Sequence, residues 1–325
     1  SGLATAHFLS KKYKVDLFEK ENHFGGHSYT IDILEEISNK LISLDLGFIV
    51  FNKKTYKNLI NFFNDLEIKY EKSDMSFAVS VKNSNIEYSG SGLRGLFSNK
   101  KNIFNLNFLK MIKEIISFYK DAENTNEENY KDKTLEEFLK LKKCSNFFIN
   151  YHIIPMVAAI WSMPPNLAGK MPMDLFLNFF KNHGLFKIKN RPQWYTVTGR
   201  SRTYVKKVLE KISGEIFKNY KVDSVNRNEN NVRIKIGDDY LDYDHIVLAS
   251  HADQSLKMLD KPTEEEQRIL SKFKYVSNEA ILHSDERFMP KKKLAWSSWN
   301  SISNGSQTCV TYWLNNLQNL KCEQN

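Results

Sequence analysis

The chain has 325 residues, of which 41% are hydrophobic and 13% aromatic, which is enough apolar material for two compact units and excludes a disordered protein. Its net charge of +9 comes from scattered lysines, and the longest purely basic run is Lys291 to Lys293, so we expect a solvated surface and no nucleic-acid partner. The three cysteines, Cys144, Cys309 and Cys322, are far apart and have neither the spacing of a disulfide framework nor that of a zinc site, so we expect no metal site and a reducing compartment. No apolar run of about 18 residues occurs, and together these features predict a cytoplasmic protein.

The chain opens on a helical pattern that leads into a short strand. Apolar residues recur every three to four positions from Leu3 to Tyr13, and residues 14–19 (KVDLFE) form an apolar strand pattern that ends at Glu19. In a dinucleotide-binding fingerprint the third glycine lets the helix approach the first strand, and an acidic residue about 20 positions after the first glycine binds ribose hydroxyls. With Gly2 as the third glycine, Glu19 occupies the ribose position. The first strand would then precede residue 1, and we expect a fragment cut at both ends.

Gly25 and Gly26 follow this strand after a short polar turn. A glycine pair permits the close backbone approach that a pyrophosphate needs in an FAD domain, whereas a nicotinamide-binding unit requires nothing particular at this point. An ordinary turn is the alternative, because paired glycines also make turns well. Agreement with Gly2 and Glu19 favours the cofactor interpretation, so the sequence predicts FAD, with NAD alone as a minor alternative.

Residues 2–30 (GLATAHFLSKKYKVDLFEKENHFGGHSYT) resemble the adenine-dinucleotide region of flavin-dependent oxidoreductases related to amine oxidases and phytoene desaturases. The blocks SLDLGFIVFNKKTYKNL, SDMSFAVS, PMVAAIWSMPP and NHGLFKIKNRPQWYTVTGRSRTYV, and AWSSWN with VTYWLNNLQ, are similar to a bacterial family of NAD/FAD-binding, amine-oxidase-like proteins. This resemblance implies an α/β fold, in which a Rossmann-like FAD-binding domain of the amine-oxidase type comprises residues 1–50 and 196–255. An interleaved α+β substrate-binding domain comprises residues 51–195 and 256–325.

The resemblance also implies which residues hold the cofactor. The block LDLGF places Gly47 and Phe48 beside the flavin, although a buried strand end with a glycine bulge is the alternative. Val222 would touch the adenine through its backbone, and His27 stands where amine oxidases usually have arginine. The full predicted set is Gly2, Leu3, Glu19, Lys20, Gly25, Gly26, His27, Gly47, Phe48 and Val222.

The remaining patterns predict helices and short strands in both domains. The amphipathic helix over residues 102–121, with Phe104 on its apolar face, packs into the substrate-domain core or rests on a membrane surface, and we expect the core. Residues 150–167 fill the core or form a cavity wall; we expect the core for most of them, with Trp161 facing a ligand. Further predictions are a hairpin over residues 29–51, a helix over 54–66, strands within 67–90, a capping box at Thr134 and Glu137, a helix after Gly199, and strands within 215–250 and 278–316.

The predicted activity is that of an FAD-dependent oxidoreductase in which hydride passes to flavin N5. The apolar segments favour a small hydrophobic, lipid-like or polyene substrate; amine oxidation is the alternative, and a non-catalytic flavin-binding protein is an alternative of another class. His183 and His251 are candidates for proton transfer, but neither is assigned, so the catalytic residues stay open. A peripheral contact at the inner membrane face is a further expectation, and the sequence predicts no oligomeric state.

Overall fold

The computed structural model describes residues 1–82, 84–161, 163–303 and 308–322. The α-helices are α1 Gly2–Leu9, α2 Lys57–Asp65, α3 Gly92–Leu96, α4 Leu106–Asn124, α5 Leu135–Leu141, α6 Asn146–Phe148, α7 Ile154–Trp161, α8 Pro165–Ala168, α9 Met173–Asn182, α10 Arg202–Leu209, α11 Ala252–Met258, α12 Glu264–Leu270 and α13 Leu314–Leu317. The strands are β1 Leu17–Glu19, β2 Thr30–Leu34, β3 Leu41–Asp45, β4 Phe51–Asn52, β5 Tyr70–Ser73, β6 Phe77–Val81, β7 Ile86–Ser89, β8 Trp194–Val197, β9 Ile216–Lys218, β10 Ser224–Arg227, β11 Val232–Ile236, β12 Asp239–Tyr243, β13 Trp299–Ser303 and β14 Thr308–Tyr312.

Strand β1 pairs in parallel with β9, so Glu19 lies opposite Lys218 at the carboxyl end of both strands. Helix α1 contacts α10, and both lie beside a cluster of buried apolar side chains. This cluster consists of Phe51, Phe62, Phe63, Leu66, Ile68, Val197, Tyr204, Val205 and Val208. Residues 51–68 therefore share a core with residues 197–208, although the first group belongs to the predicted substrate domain. The predicted domain boundaries stay a prediction, and residues 83, 162, 304–307 and 323–325 of the second domain lie outside the described residues.

Three antiparallel arrangements follow: a hairpin, a three-stranded sheet and a meander. The predicted hairpin is confirmed for β2 and β3, which pair and bring Thr30 opposite Asp45. Its second strand ends at Asp45 and not at residue 51, because Phe51–Asn52 pairs with β8 instead. A three-stranded sheet has the order β4-β8-β5, and a separate meander follows in the order β10-β11-β12. The hairpin β2-β3 ends two residues before Gly47, and this position becomes important for the site.

The second core lies between helices α4 to α9 and a sheet with the order β14-β13-β6-β7. Strand β13 runs parallel to β6, whereas the other two pairings are antiparallel. Helix α4 buries Phe108, Met111, Phe118, Tyr119 and Ala122, which confirms the prediction that it packs into the core. The placement of Phe104 on that apolar face was wrong. Asn105 caps α4 by accepting a hydrogen bond from the backbone N–H of Phe108 at 3.1 Å, so Phe104 lies before the helix and is 86% exposed.

Two of the predicted strands do not form. Residues 244–250 and 278–290 are described throughout and contain no strand, although both are rich in apolar residues. A strand requires a neighbour that satisfies its backbone groups, and none of the described strands pairs with either segment. Val247 is accordingly 56% exposed. No helix within the described ranges combines the length and the apolar content that are needed to cross a bilayer.

Candidate cofactor site

Glu19 ends β1 in a half-buried position. Its carboxylate accepts the backbone N–H of Glu21 at 3.0 Å, while its carbonyl oxygen accepts the N–H of Tyr220 at 2.9 Å. An ionised carboxylate offers about four lone-pair positions, so this single bond leaves capacity for a pair of hydroxyl donors. Val222 is half-buried in the connection from β9 to β10, two residues beyond Tyr220. Lys20 is exposed and forms an ion pair with Glu21 at 3.3 Å.

The paired glycines form a turn with left-handed backbone at both positions. Gly25 has φ +113° and Gly26 has φ +55°, and the N–H of Ser28 donates to the carbonyl oxygen of Gly25 at 3.0 Å. A Cβ on Gly25 would lie 2.7 Å from the Ser28 carbonyl oxygen and 3.0 Å from Val205 Cγ2, whereas a Cβ on Gly26 would meet nothing within 4 Å. Gly25 is therefore required by packing, and Gly26 presents an open backbone surface that a ligand can approach.

Gly47 rests directly on this turn. A Cβ at Gly47 would lie 2.0 Å from the His27 carbonyl oxygen, and the N–H of Phe48 donates to the same oxygen at 2.7 Å. Only glycine permits such an approach, because real Cβ atoms stay beyond about 3.0 Å from other heavy atoms. The tertiary structure thus brings together Gly25, Gly26 and His27 with Gly47 and Phe48, which are about 20 residues away in the chain.

The N-terminal helix reaches the same region from the other side. A Cβ at Gly2 would lie 3.1 Å from Ala249 Cβ, so the start of α1 packs tightly against the segment 244–250. Leu3 packs with Phe24 and Phe48 against the cluster that includes Val205. This shared packing joins the helix, the glycine turn and the Gly47 loop into one structural unit.

Aromatic stacking extends from His27 to the segment before α11. The rings of His27 and His251 have centroids 5.9 Å apart, and His251 stacks on Tyr275 at 4.2 Å with nearly parallel planes. His183 reaches Phe48 through one further ring: its centroid lies 6.1 Å from that of Tyr56, which packs against Phe48. Its Nδ1 contacts the Phe179 carbonyl oxygen at 2.9 Å, and its ring stacks on Phe179 at 4.2 Å. Of the two histidines left open in the sequence, His251 contacts the predicted cofactor loop and His183 is held by its own helix.

Asp45 is a site residue that sequence reasoning missed. It is 1% exposed, and its carboxylate accepts the N–H of Ser201 at 2.8 Å, the Ser201 hydroxyl at 2.7 Å and the Thr30 hydroxyl at 2.6 Å. Gln318 bonds to both the N–H and the carbonyl oxygen of Asp45. These bonds tie the residue two positions before Gly47 to the start of α10. The sequence feature that could have identified Asp45 is a carboxylate at the end of the apolar strand LISLD, because a buried charge needs several hydrogen-bond partners.

A second buried polar group, His152, lies in the substrate-domain core between two tyrosines. The Tyr88 hydroxyl donates to the Tyr151 carbonyl oxygen at 2.9 Å, so it accepts from His152 Nδ1, also at 2.9 Å, while the Tyr119 hydroxyl donates to Nε2 at 2.8 Å. Burial lowers the pKa of His152 to about 3 because the cation would lose its hydration. The ring is neutral near pH 7 and holds the core together.

The residues around Gly47 fit a flavin dinucleotide. A carboxylate stands at the carboxyl end of a parallel strand pair, an open glycine backbone follows it, and a second glycine loop closes on that backbone. These are the features with which such folds hold ribose, pyrophosphate and ring. The individual roles of Glu19, Gly26, Gly47 and the other predicted cofactor residues stay predictions.

Comparisons with known proteins agree with this geometry. A family model described as flavin containing amine oxidoreductase matches residues 1–316. Similar solved structures are a variant of putrescine oxidase (14% identity, TM-score 0.57, 83% of this chain and 60% of that one), cyclohexylamine oxidase from Brevibacterium oxydans (14%, 0.54, 83% and 60%) and a CLA-producing fatty acid isomerase from P. acnes (14%, 0.52, 83% and 61%). The chain spans about three fifths of the length of these structures. No curated protein matches it.

The predicted fold class, a Rossmann-like FAD-binding domain with a substrate domain, is confirmed.

Proposed function

Because the chain belongs to the flavin-containing amine oxidoreductase family, as the sequence resemblance predicted, we propose that it dehydrogenates or oxidises a small hydrophobic molecule. Its cofactor is FAD and its enzyme class is that of the FAD-dependent oxidoreductases. The bound flavin supplies the hydride acceptor. This chain's own residues hold that acceptor, exclude water from it and orient the substrate.

The closure of Gly47 on the His27 carbonyl oxygen carries the proposal. The contact brings the Gly25–Gly26 turn to the end of the β2-β3 hairpin, so one surface can serve two parts of a long cofactor. In this arrangement Glu19 accepts hydrogen bonds from ribose hydroxyls, and Gly26 allows phosphates to approach its backbone. Phe48 lies against Tyr56, with ring centroids 6.2 Å apart, and shields one side of the site from water.

The substrate class is supported by apolar side chains in the second domain. Ile160, Trp161, Met163 and Phe179 pack against the core but remain half-buried, and Trp161 contacts Phe179 at a centroid distance of 4.7 Å. None of these four side chains carries a charge that would pair with an ammonium group. They therefore favour a lipid-like or polyene chain. One structurally similar protein is a fatty acid isomerase.

Amine oxidation is the second candidate, because the matching family model is described by amine chemistry and two similar structures are amine oxidases. The two candidates separate when the purified protein is mixed anaerobically with a long-chain unsaturated fatty acid, a polyene, a diamine or a cyclic amine. Bleaching of the flavin by the first two supports the proposal. Bleaching only by amines would replace it with the second candidate, and no bleaching by either class would favour a non-catalytic flavoprotein.

The cofactor assignment has a separate test in Glu19→Gln. Loss of the charged acceptor should weaken FAD binding about tenfold, because hydrogen bonds to charged groups contribute about 1.5 kcal/mol or more. Glu21→Gln is the matched control, since Glu21 is two residues away and exposed. Fluorescence titration of the apoprotein with FAD gives both affinities. Equal affinities in the two variants would remove Glu19 from the site.

A further inference from the structure

An apolar and basic surface lies on the second domain, between β7 and the start of α4. Leu93, Phe104 and Leu106 are 75%, 86% and 80% exposed, and Leu294 on a neighbouring turn is 60% exposed. Single exposed apolar side chains are ordinary, but a group of large ones marks an interaction site. We name this set, together with the basic residues described next, the basic-apolar surface.

The charge of this surface is predominantly positive. Residues 88–113 contain five basic residues and no aspartate or glutamate, and the adjacent turn contributes the longest basic run of the chain. The basic side chains are all exposed and are Arg94, Lys100, Lys101, Lys110, Lys113, Lys291, Lys292 and Lys293. Among them Lys293 forms an exposed ion pair with Glu286 at 3.3 Å, which screens the charge of that lysine.

Glu87 holds the two basic segments side by side. Its carbonyl oxygen accepts from the Ser98 hydroxyl at 3.0 Å, and its carboxylate accepts the backbone N–H groups of Lys291 at 3.0 Å and Lys292 at 2.6 Å. Glu87 itself is buried, so its charge is used internally and the outer surface stays cationic. Helix α3 also contacts the 3-10 turn Lys293–Ala295. Residues about 200 positions apart therefore form a continuous surface.

We propose that the basic-apolar surface docks this protein on the headgroup region of an anionic lipid bilayer. Lysine and arginine are attracted to anionic headgroups, while exposed leucine and phenylalanine gain free energy by entering the acyl boundary. Nucleic acid fits less well, because Leu93, Leu106 and Leu294 gain nothing from a phosphate backbone. The buried face of α4 plays no part, since it already fills the protein core. Docking is independent of the proposed activity, because it is measured without turnover.

Co-sedimentation with vesicles tests this proposal. The protein should pellet with phosphatidylcholine vesicles that contain about one third phosphatidylglycerol and should stay in solution with phosphatidylcholine alone. Lys100→Glu with Lys101→Glu should lower the partition coefficient at least about 25-fold, because each lysine near an anionic surface contributes about fivefold. The control is Lys12→Glu with Lys14→Glu, which changes the net charge equally at two exposed lysines outside this surface.

A second pair of variants tests the apolar part. Phe104→Ser with Leu106→Ser should lower partitioning at least about tenfold through lost apolar burial. The control is Val276→Ser with Ile281→Ser, at side chains that are 79% and 72% exposed in another segment. The proposal is overturned if the wild-type protein does not bind anionic vesicles or if the control variants lose as much binding as the test variants. Tighter binding to duplex DNA than to vesicles, unaffected by Phe104→Ser with Leu106→Ser, would instead assign the surface to nucleic acid.

Discussion

The contact between Gly47 and the His27 carbonyl oxygen makes a sharp prediction for Gly47→Ala. The added Cβ would lie 2.0 Å from that oxygen, about 1 Å inside the closest approach that Cβ atoms show. The obstacle is backbone and not the flexible end of a side chain, so one of the two loops has to move.

The cost follows from the contacts that such a movement breaks. The bonds from Phe48 N–H to the His27 oxygen at 2.7 Å and from Leu46 N–H to the Tyr29 oxygen at 2.9 Å are each worth about 1 kcal/mol. Residual overpacking adds about 1 kcal/mol or more. If FAD binds only the unmoved turn, the sum of about 3 kcal/mol appears as a loss of FAD affinity of about a hundredfold.

The assay is FAD titration of the apoprotein, followed by flavin fluorescence, together with the thermal midpoint of each variant. Gly90→Ala is the control, because its Cβ would meet nothing closer than the Phe77 carbonyl oxygen at 4.0 Å. Gly47→Ala with FAD affinity and melting temperature equal to those of Gly90→Ala would refute the reasoning about this loop.

Two further predictions concern buried polar groups. Asp45→Asn should lower the free energy of unfolding, measured in urea, by about 3 kcal/mol, because it removes a buried charge that accepts hydrogen bonds from Ser201 and Thr30. The control Asp32→Asn breaks an exposed ion pair with Arg202 and should cost under about 1 kcal/mol. Similar losses in the two variants would contradict the role of Asp45. His152 has a folded-state pKa below its unfolded value, so the folded state binds fewer protons, and stability should fall as the pH drops below about 6.5, by up to about 1.4 kcal/mol per pH unit. His152→Gln should flatten that slope in urea midpoints, and an unchanged slope would rule out His152 as its source.

Local pattern was sufficient for several elements of the fold. The apolar spacing of α4 predicted its buried face, and Thr134 with Glu137 predicted the capping box that the structure contains at the start of α5. These features depend on residues within one or two turns of each other. The same kind of reasoning was wrong for Phe104 and for the strand at residues 244–250. The exposure of Phe104 depends on where α4 begins, and a strand at residues 244–250 would depend on a distant pairing partner. The local spacing of apolar residues contains neither kind of information.

The sequence by itself determined that a carboxylate and paired glycines follow a strand in an order typical of dinucleotide binding, and its resemblance to flavin-dependent amine oxidases gave the correct family. Only the tertiary structure decided that Gly47 closes on His27, that Asp45 joins Ser201 and Gln318, and that Glu87 holds two basic segments together. The physical reason is the distance along the chain over which each interaction acts. Backbone propensity and apolar period act between neighbours in the chain, whereas a site forms from groups that packing brings together across tens to hundreds of residues.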